Sequence, residues 1–123
     1  MFTTDRRARK PSLLACLGAL LAAASIGLSA YASHGVSEPL AQQHLNMAAL
    51  YAFAHGAVLA AMGPRSKGAF GRLALYILLL GTLLFAGSLA GNALWQWSTR
   101  LAPVGGTTLM LGWVLVAFEA LRR

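Results

Sequence analysis

Residues Leu45–Met62, LNMAALYAFAHGAVLAAM, make a predominantly apolar run in which one side chain, His55, titrates near neutral pH. A run of this length reads as a helix that crosses a bilayer. At about 1.5 Å per residue, His55 lies roughly 15 Å beyond Leu45, close to the midplane of a hydrocarbon core roughly 30 Å thick. Tyr51 precedes His55 by one helical turn, and His44 precedes Tyr51 by two, so His44, Tyr51 and His55 share one stripe. No other group in the chain able to exchange a proton near pH 7 lies so deep, and any chemistry is expected to involve that stripe.

Composition agrees with the single stretch. Of the 123 residues, 58% are hydrophobic and 11% charged, and the mean hydropathy is +0.64, a membrane rather than a soluble profile. The net charge of +7 raises a nucleic-acid reading, but the basic residues fall in short groups at the ends of apolar runs, where they act as topological signals. No soluble domain remains to carry a contiguous basic surface, so nucleic acid is not an expected partner. A single cysteine, Cys16, excludes an intramolecular disulfide.

Four spans are expected, at about 13–33, 40–62, 73–92 and 103–121, preceded by a basic cytoplasmic tail at 1–12; residues 13–123 form one transmembrane domain. A cleaved signal peptide is the competing reading of the first span, with Ala30-Tyr31-Ala32 resembling a cleavage site. The length of the run and the three spans behind it favour an uncleaved helix. Placing both termini inside puts nine of the ten basic residues in the cytoplasm and leaves Arg100 outside. Tyr31, Trp95 and Trp97 then fall at the outer interface, where amphipathic rings are favoured. The expected fold is all-α: four transmembrane helices in an antiparallel up-down bundle, N-in and C-in.

Breakers punctuate the spans. Gly35 and Pro39 frame an outer turn, with Ser37 the expected N-cap of the second helix. Gly63-Pro64 ends that helix, and Pro103 enters the first turn of the fourth. Small residues define the expected packing faces: Ser25, Ser29 and Ser33 on helix one, Gly87 and Gly91 on helix three, and Gly105, Thr108 and Gly112 on helix four. Lipid supplies little hydrophobic drive between helices, so close backbone approach and hydroxyl hydrogen bonds are expected to hold the bundle.

Several of these motifs together resemble a known family. Ser29-Ala30-Tyr31-Ala32-Ser33-His34-Gly35 is similar to the small-residue GAFGAHG signature of the bacterial inner-membrane family known as domain of unknown function 423. Leu50-Tyr51-Ala52-Phe53-Ala54-His55 is similar to its YQxxH segment, Gly87-Ser88-Leu89 to its GS step, and Pro103-Val104-Gly105-Gly106 with Gly112-Trp113 to its PxGG…GW close. Ser29, Ala32 and Ser33 replace Gly, Gly and Ala, Ala52 replaces Gln, and Ala90 replaces the usual Tyr. The resemblance implies a four-span inner-membrane protein and no assigned activity.

The candidate functional polar residues are His55, Tyr51, His34, His44, Ser88 and Asn92. An ionisable residue within a span is a functional hypothesis by default, but a neutral imidazole also serves as an interhelical hydrogen-bonding group, with Ser29, Ser88 and Asn92 the expected partners of His55. His34 and His44 are brought towards one another by a short turn, and Glu38 could join them. Zinc usually takes three or four ligands, and this spacing matches no known metal motif, so no metal site is expected. Ser88 as a hydrolase nucleophile would need a base, which His55 could supply, and an oxyanion hole, for which no sequence feature is present, so packing is its expected role. Asn92 is expected to cap or to bond across helices, and Glu119 to pair with Arg122 or Arg123. No phosphate loop, paired carboxylates or CxxC is present. The chain is therefore expected to be no enzyme, to hold no cofactor, and to be an accessory or assembly subunit in the lipid bilayer, within a homo-oligomer or a larger membrane complex. A small-solute or proton-coupled transporter using His44, Tyr51 and His55 is the alternative, and a haem- or metal-binding protein the second.

Overall fold

The computed structural model describes residues 11–122. The basic tail expected at 1–12 therefore lies outside the described residues apart from Pro11 and Ser12, as does Arg123. Four helices make up the fold: α1 (Leu13–His34), α2 (Pro39–Met62), α3 (Ala69–Trp95) and α4 (Leu101–Arg122). Each is long and apolar enough to cross a membrane, and there is no strand among the described residues.

Local chemistry sets the helix ends. Ser12 caps α1, its Oγ accepting from Ala15 N–H at 3.1 Å, and the chain leaves α1 at Gly35, whose N–H donates to Tyr31 O. The N-cap of α2 is Glu38, not Ser37: its carboxylate accepts from Ala41 N–H at 2.7 Å. Pro39 is the first helical residue, a position where its missing N–H is harmless, so the residue before it must be the cap. Gln42 Nε2 donates back to Val36 O at 2.6 Å and closes the turn. At the far end of α3, Gln96 takes a left-handed conformation (φ 57°), and Gln96 and Trp97 donate their N–H groups to Asn92 O and Gly91 O. α3 is longer than the expected 73–92 by about a turn at each end, because hydropathy ends at the bilayer while helical hydrogen bonding runs on to Gly68 and Gln96.

The helices pack in chain order. α1 lies along α2, α2 along α3 and α3 along α4, while α1 reaches α3 over a short stretch. Gly18 of α1 faces Gly56 of α2: a Cβ on either would stand 2.5 Å from the carbonyl oxygen of the other. Gly63 lies by Ser12, so the paired positions fall along α2 as they rise along α1. Between α3 and α4, Gly81 meets Leu109, Gly112 meets Leu78, and Gly105 lies against the Phe85 backbone. Leucines from all four helices (Leu14, Leu59, Leu75, Leu78, Leu79, Leu109) share one core. Ala48 and Ala52 of α2 meet Ala86 and Leu89 of α3 in a second. The outward faces are also apolar: Leu20, Ile26, Leu50, Leu80, Met110 and Val114 are all exposed, as a lipid-facing surface requires.

The expected small-residue faces are partly reassigned. On α1, Ser25 is buried while Ser29 and Ser33 are exposed. Steps of four residues advance about 40° beyond a full turn, so Ser29 and Ser33, one and two steps past Ser25, turn progressively off its contact face. On α3, Gly91 lies under the Trp97 indole, whereas Gly87 faces open space. The buried hydroxyls do not bridge helices. Ser25 Oγ donates to Ala22 O and Thr82 Oγ1 to Leu78 O, each at 2.7 Å within its own helix. On α4, Thr108 Oγ1 donates likewise to Val104 O at 2.8 Å. Close glycine and alanine contact therefore holds these helices, and the hydroxyls satisfy themselves locally.

Candidate functional site

α2 carries His55 where α3 and α4 approach it. The ring is buried (7% exposed). Its Nδ1 stands 2.9 Å from Tyr51 O, the carbonyl one turn earlier on α2. Its Nε2 stands 3.0 Å from Trp113 Nε1 on α4. An indole N–H can only donate and a carbonyl oxygen can only accept. Nε2 is therefore the acceptor and Nδ1 carries the proton, which fixes the neutral Nδ1–H tautomer with both nitrogens occupied.

Aromatic rings surround this pair. The Tyr51 ring lies nearly parallel to the imidazole (6.0 Å between centroids, 10°) and packs at 4.7 Å on Phe85 of α3. Trp113 lies 5.8 Å from the imidazole. Beside them is a surface cavity of about 520 Å³, lined by Tyr51, His55, Phe85, Pro103, Met110 and Trp113. Gly105 allows the approach of α4, since any Cβ there would strike the Phe85 backbone. Ser29, Ser88 and Asn92, expected as partners of His55, make other contacts. Ser29 lines a separate cavity with Ser25, Asn46 and Phe53. Ser88 is buried, and its Oγ donates to Ser98 O at 3.4 Å.

Asn92 does bond across helices, but to His44. His44 Nδ1 donates to Asn92 Oδ1 at 2.9 Å, and Asn92 Nδ2 donates to Trp97 O at 2.7 Å. This second polar cluster ties the start of α2 to the end of α3 and the link beyond it. His34, at the end of α1, is exposed, and Glu38 is engaged as a helix cap. Among the described residues, no three His, Cys, Asp or Glu side chains gather closely enough to hold a metal ion. Glu119 pairs with Arg122 at 3.5 Å.

Sequence reasoning did not identify Trp113 as the partner of His55. A signal was present: an indole in mid-span, away from the interfaces, carries an N–H that needs an acceptor.

Comparison with known proteins agrees with this architecture. The family described as "Protein of unknown function (DUF423)" matches residues 28–106. A UPF0382 membrane protein of Haemophilus influenzae is 34% identical over 108 residues, covering 79% of this chain and 84% of that protein. A UPF0382 membrane protein of Staphylococcus saprophyticus is 31% identical over 111 residues, covering 81% and 89%. One from Staphylococcus epidermidis is 29% identical over 113 residues, covering 86% and 93%. No solved structure matches the chain. With its four spans and the Tyr51–His55 and Gly112–Trp113 segments joined at one site, the chain belongs to the DUF423 family of membrane proteins of unknown function.

Proposed function

We propose that the protein is a non-enzymatic accessory or assembly subunit of the bacterial inner membrane, with both termini in the cytoplasm. The observation that carries this reading is the engagement of His55: one nitrogen donates to Tyr51 O and the other accepts from Trp113. An imidazole so held has neither a lone pair nor an N–H left for a solute, proton or metal. It works as a strut from α2 to α4, and the long apolar outer faces are the surface offered to other membrane components.

The test has two arms. Deleting the chain is expected to lower the amount of one larger membrane complex on native gels, with recovery when the wild-type chain is restored. In proteoliposomes, wild type and His55→Ala are expected to show the same background solute and proton flux. A flux present with wild type and lost in His55→Ala would overturn the accessory reading.

The cavity beside His55 favours one competing reading, small-solute or proton-coupled transport along His44, Tyr51 and His55. In that case the Trp113 bond must open during turnover, and Trp113→Phe would raise the flux.

A further inference from the structure

Where α1 begins and the α2–α3 link turns, a cavity of about 610 Å³ opens, lined on its polar side by Ser12, Ser66, Lys67, Arg72 and Tyr76. Pro11, Leu13 and Leu14 form its apolar side. The single ion pair among the described residues joins Arg122 to Glu119, so Lys67 and Arg72 have no carboxylate partner there. The Ser66 hydroxyl is not offered to this cavity: its Oγ is enclosed by the protein, and a Cβ at Gly71 would stand 2.8 Å from it and 3.5 Å from Glu119 Oε2. α3 starts beside the cavity at Gly68 with no side-chain cap, so the N–H groups of its first turn also lack a side-chain acceptor. Two cations without a carboxylate partner on one cavity, beside an uncapped helix start, suit one chemistry, a compact anion with several acceptor oxygens.

We propose that this cavity binds a phosphate-bearing anion, with Lys67 and Arg72 on the phosphate oxygens. On the topology proposed above, on which this placement rests, the cavity falls where α1 and α3 leave the cytoplasmic headgroups. It continues onto Leu13 and Tyr76, both exposed, against which acyl chains can lie. The headgroup of an anionic phospholipid and a soluble phosphate ester share this chemistry, and basic pockets between spans at the membrane surface suit the former.

The full chain, delipidated in neutral detergent, is titrated with phosphatidylglycerol, with phosphatidylethanolamine of the same acyl chains, and with inorganic phosphate. Native mass spectrometry and thermal unfolding are the readouts. One phosphatidylglycerol per chain is expected to bind and to raise the unfolding temperature, with phosphatidylethanolamine much weaker. The Lys67→Gln, Arg72→Gln pair is expected to weaken binding roughly 30-fold, about fivefold for each cation removed. Both residues are exposed, so the lipid-free unfolding temperature should stay at the wild-type value. A charge-matched pair, Arg65→Gln with Arg100→Gln, alters residues outside this cavity and should bind as wild type does. Inorganic phosphate binding as tightly as the lipid, with the same loss in the Lys67, Arg72 pair, supports the site and makes its ligand soluble. Equal loss in the two double variants, or equal binding of the two lipids by wild type, would overturn it.

Discussion

His55 illustrates how a single side chain is legible in a sequence while its role is not. It stands out as the one histidine side chain deep within an apolar run, which residue order alone reveals. Its partner does not stand out: Trp113 is 58 positions away, and their meeting depends on how α4 is rotated, which no local pattern encodes. The bond can be weighed directly. Trp113→Phe removes the indole N–H and leaves Nε2 unsatisfied in apolar surroundings, so unfolding in nanodiscs should show a loss of about 1 kcal/mol, within the spread for interhelical bonds in membranes. Replacing both partners, His55→Phe with Trp113→Phe, should restore most of that loss, because no polar atom is then stranded. A double variant as unstable as the sum of the singles would show that the two side chains act independently.

At the scale of the helix, the positions of the spans were readable from length and hydropathy, and the sequence reading misses mainly where helices run past the apolar stretch into the interface, as α3 does at both ends. The contact faces were less readable. The chain has 13 glycines, and small residues mark a close approach only once the rotation of each helix is known. Gly18, Gly56 and Gly81 turn out to be points of backbone contact, whereas Gly87 meets nothing within 4 Å. Two substitutions separate these cases. Gly56→Ala places a methyl against the Gly18 carbonyl, which must force α1 and α2 apart at a cost of about 1–3 kcal/mol. Gly87→Ala adds the same methyl to open space and should be neutral, or stabilising by up to about 1 kcal/mol through helix propensity. Thermal unfolding of the two variants in one detergent checks the contrast, and equal effects would remove the distinction.

Across the whole molecule, charge placement makes a topological prediction that packing alone cannot make. A fluorescent reporter fused after Arg123 should fold and glow in the cytoplasm, and a periplasm-dependent reporter at the same site should stay inactive. Moving the charge balance, by replacing Arg65, Lys67 and Arg72 with Gln and adding lysines near Arg100, should yield a mixed population of orientations in the same fusion assay. A periplasmic carboxyl terminus in the unaltered chain would reverse the N-in, C-in assignment while leaving the helix contacts intact.

The order of packing has a consequence for biogenesis. α1 is pressed chiefly on α2 and α4 on α3, each pair meeting more extensively than α2 meets α3. The close glycine approaches likewise fall within those pairs. Each hairpin thus holds most of its own contacts as soon as its second strand of sequence has left the ribosome, and joining the two is a later docking event. Divided within the connection between Gly63 and Gly68 and made as separate polypeptides, the halves should accordingly find one another in the bilayer and restore the imidazole–indole clasp.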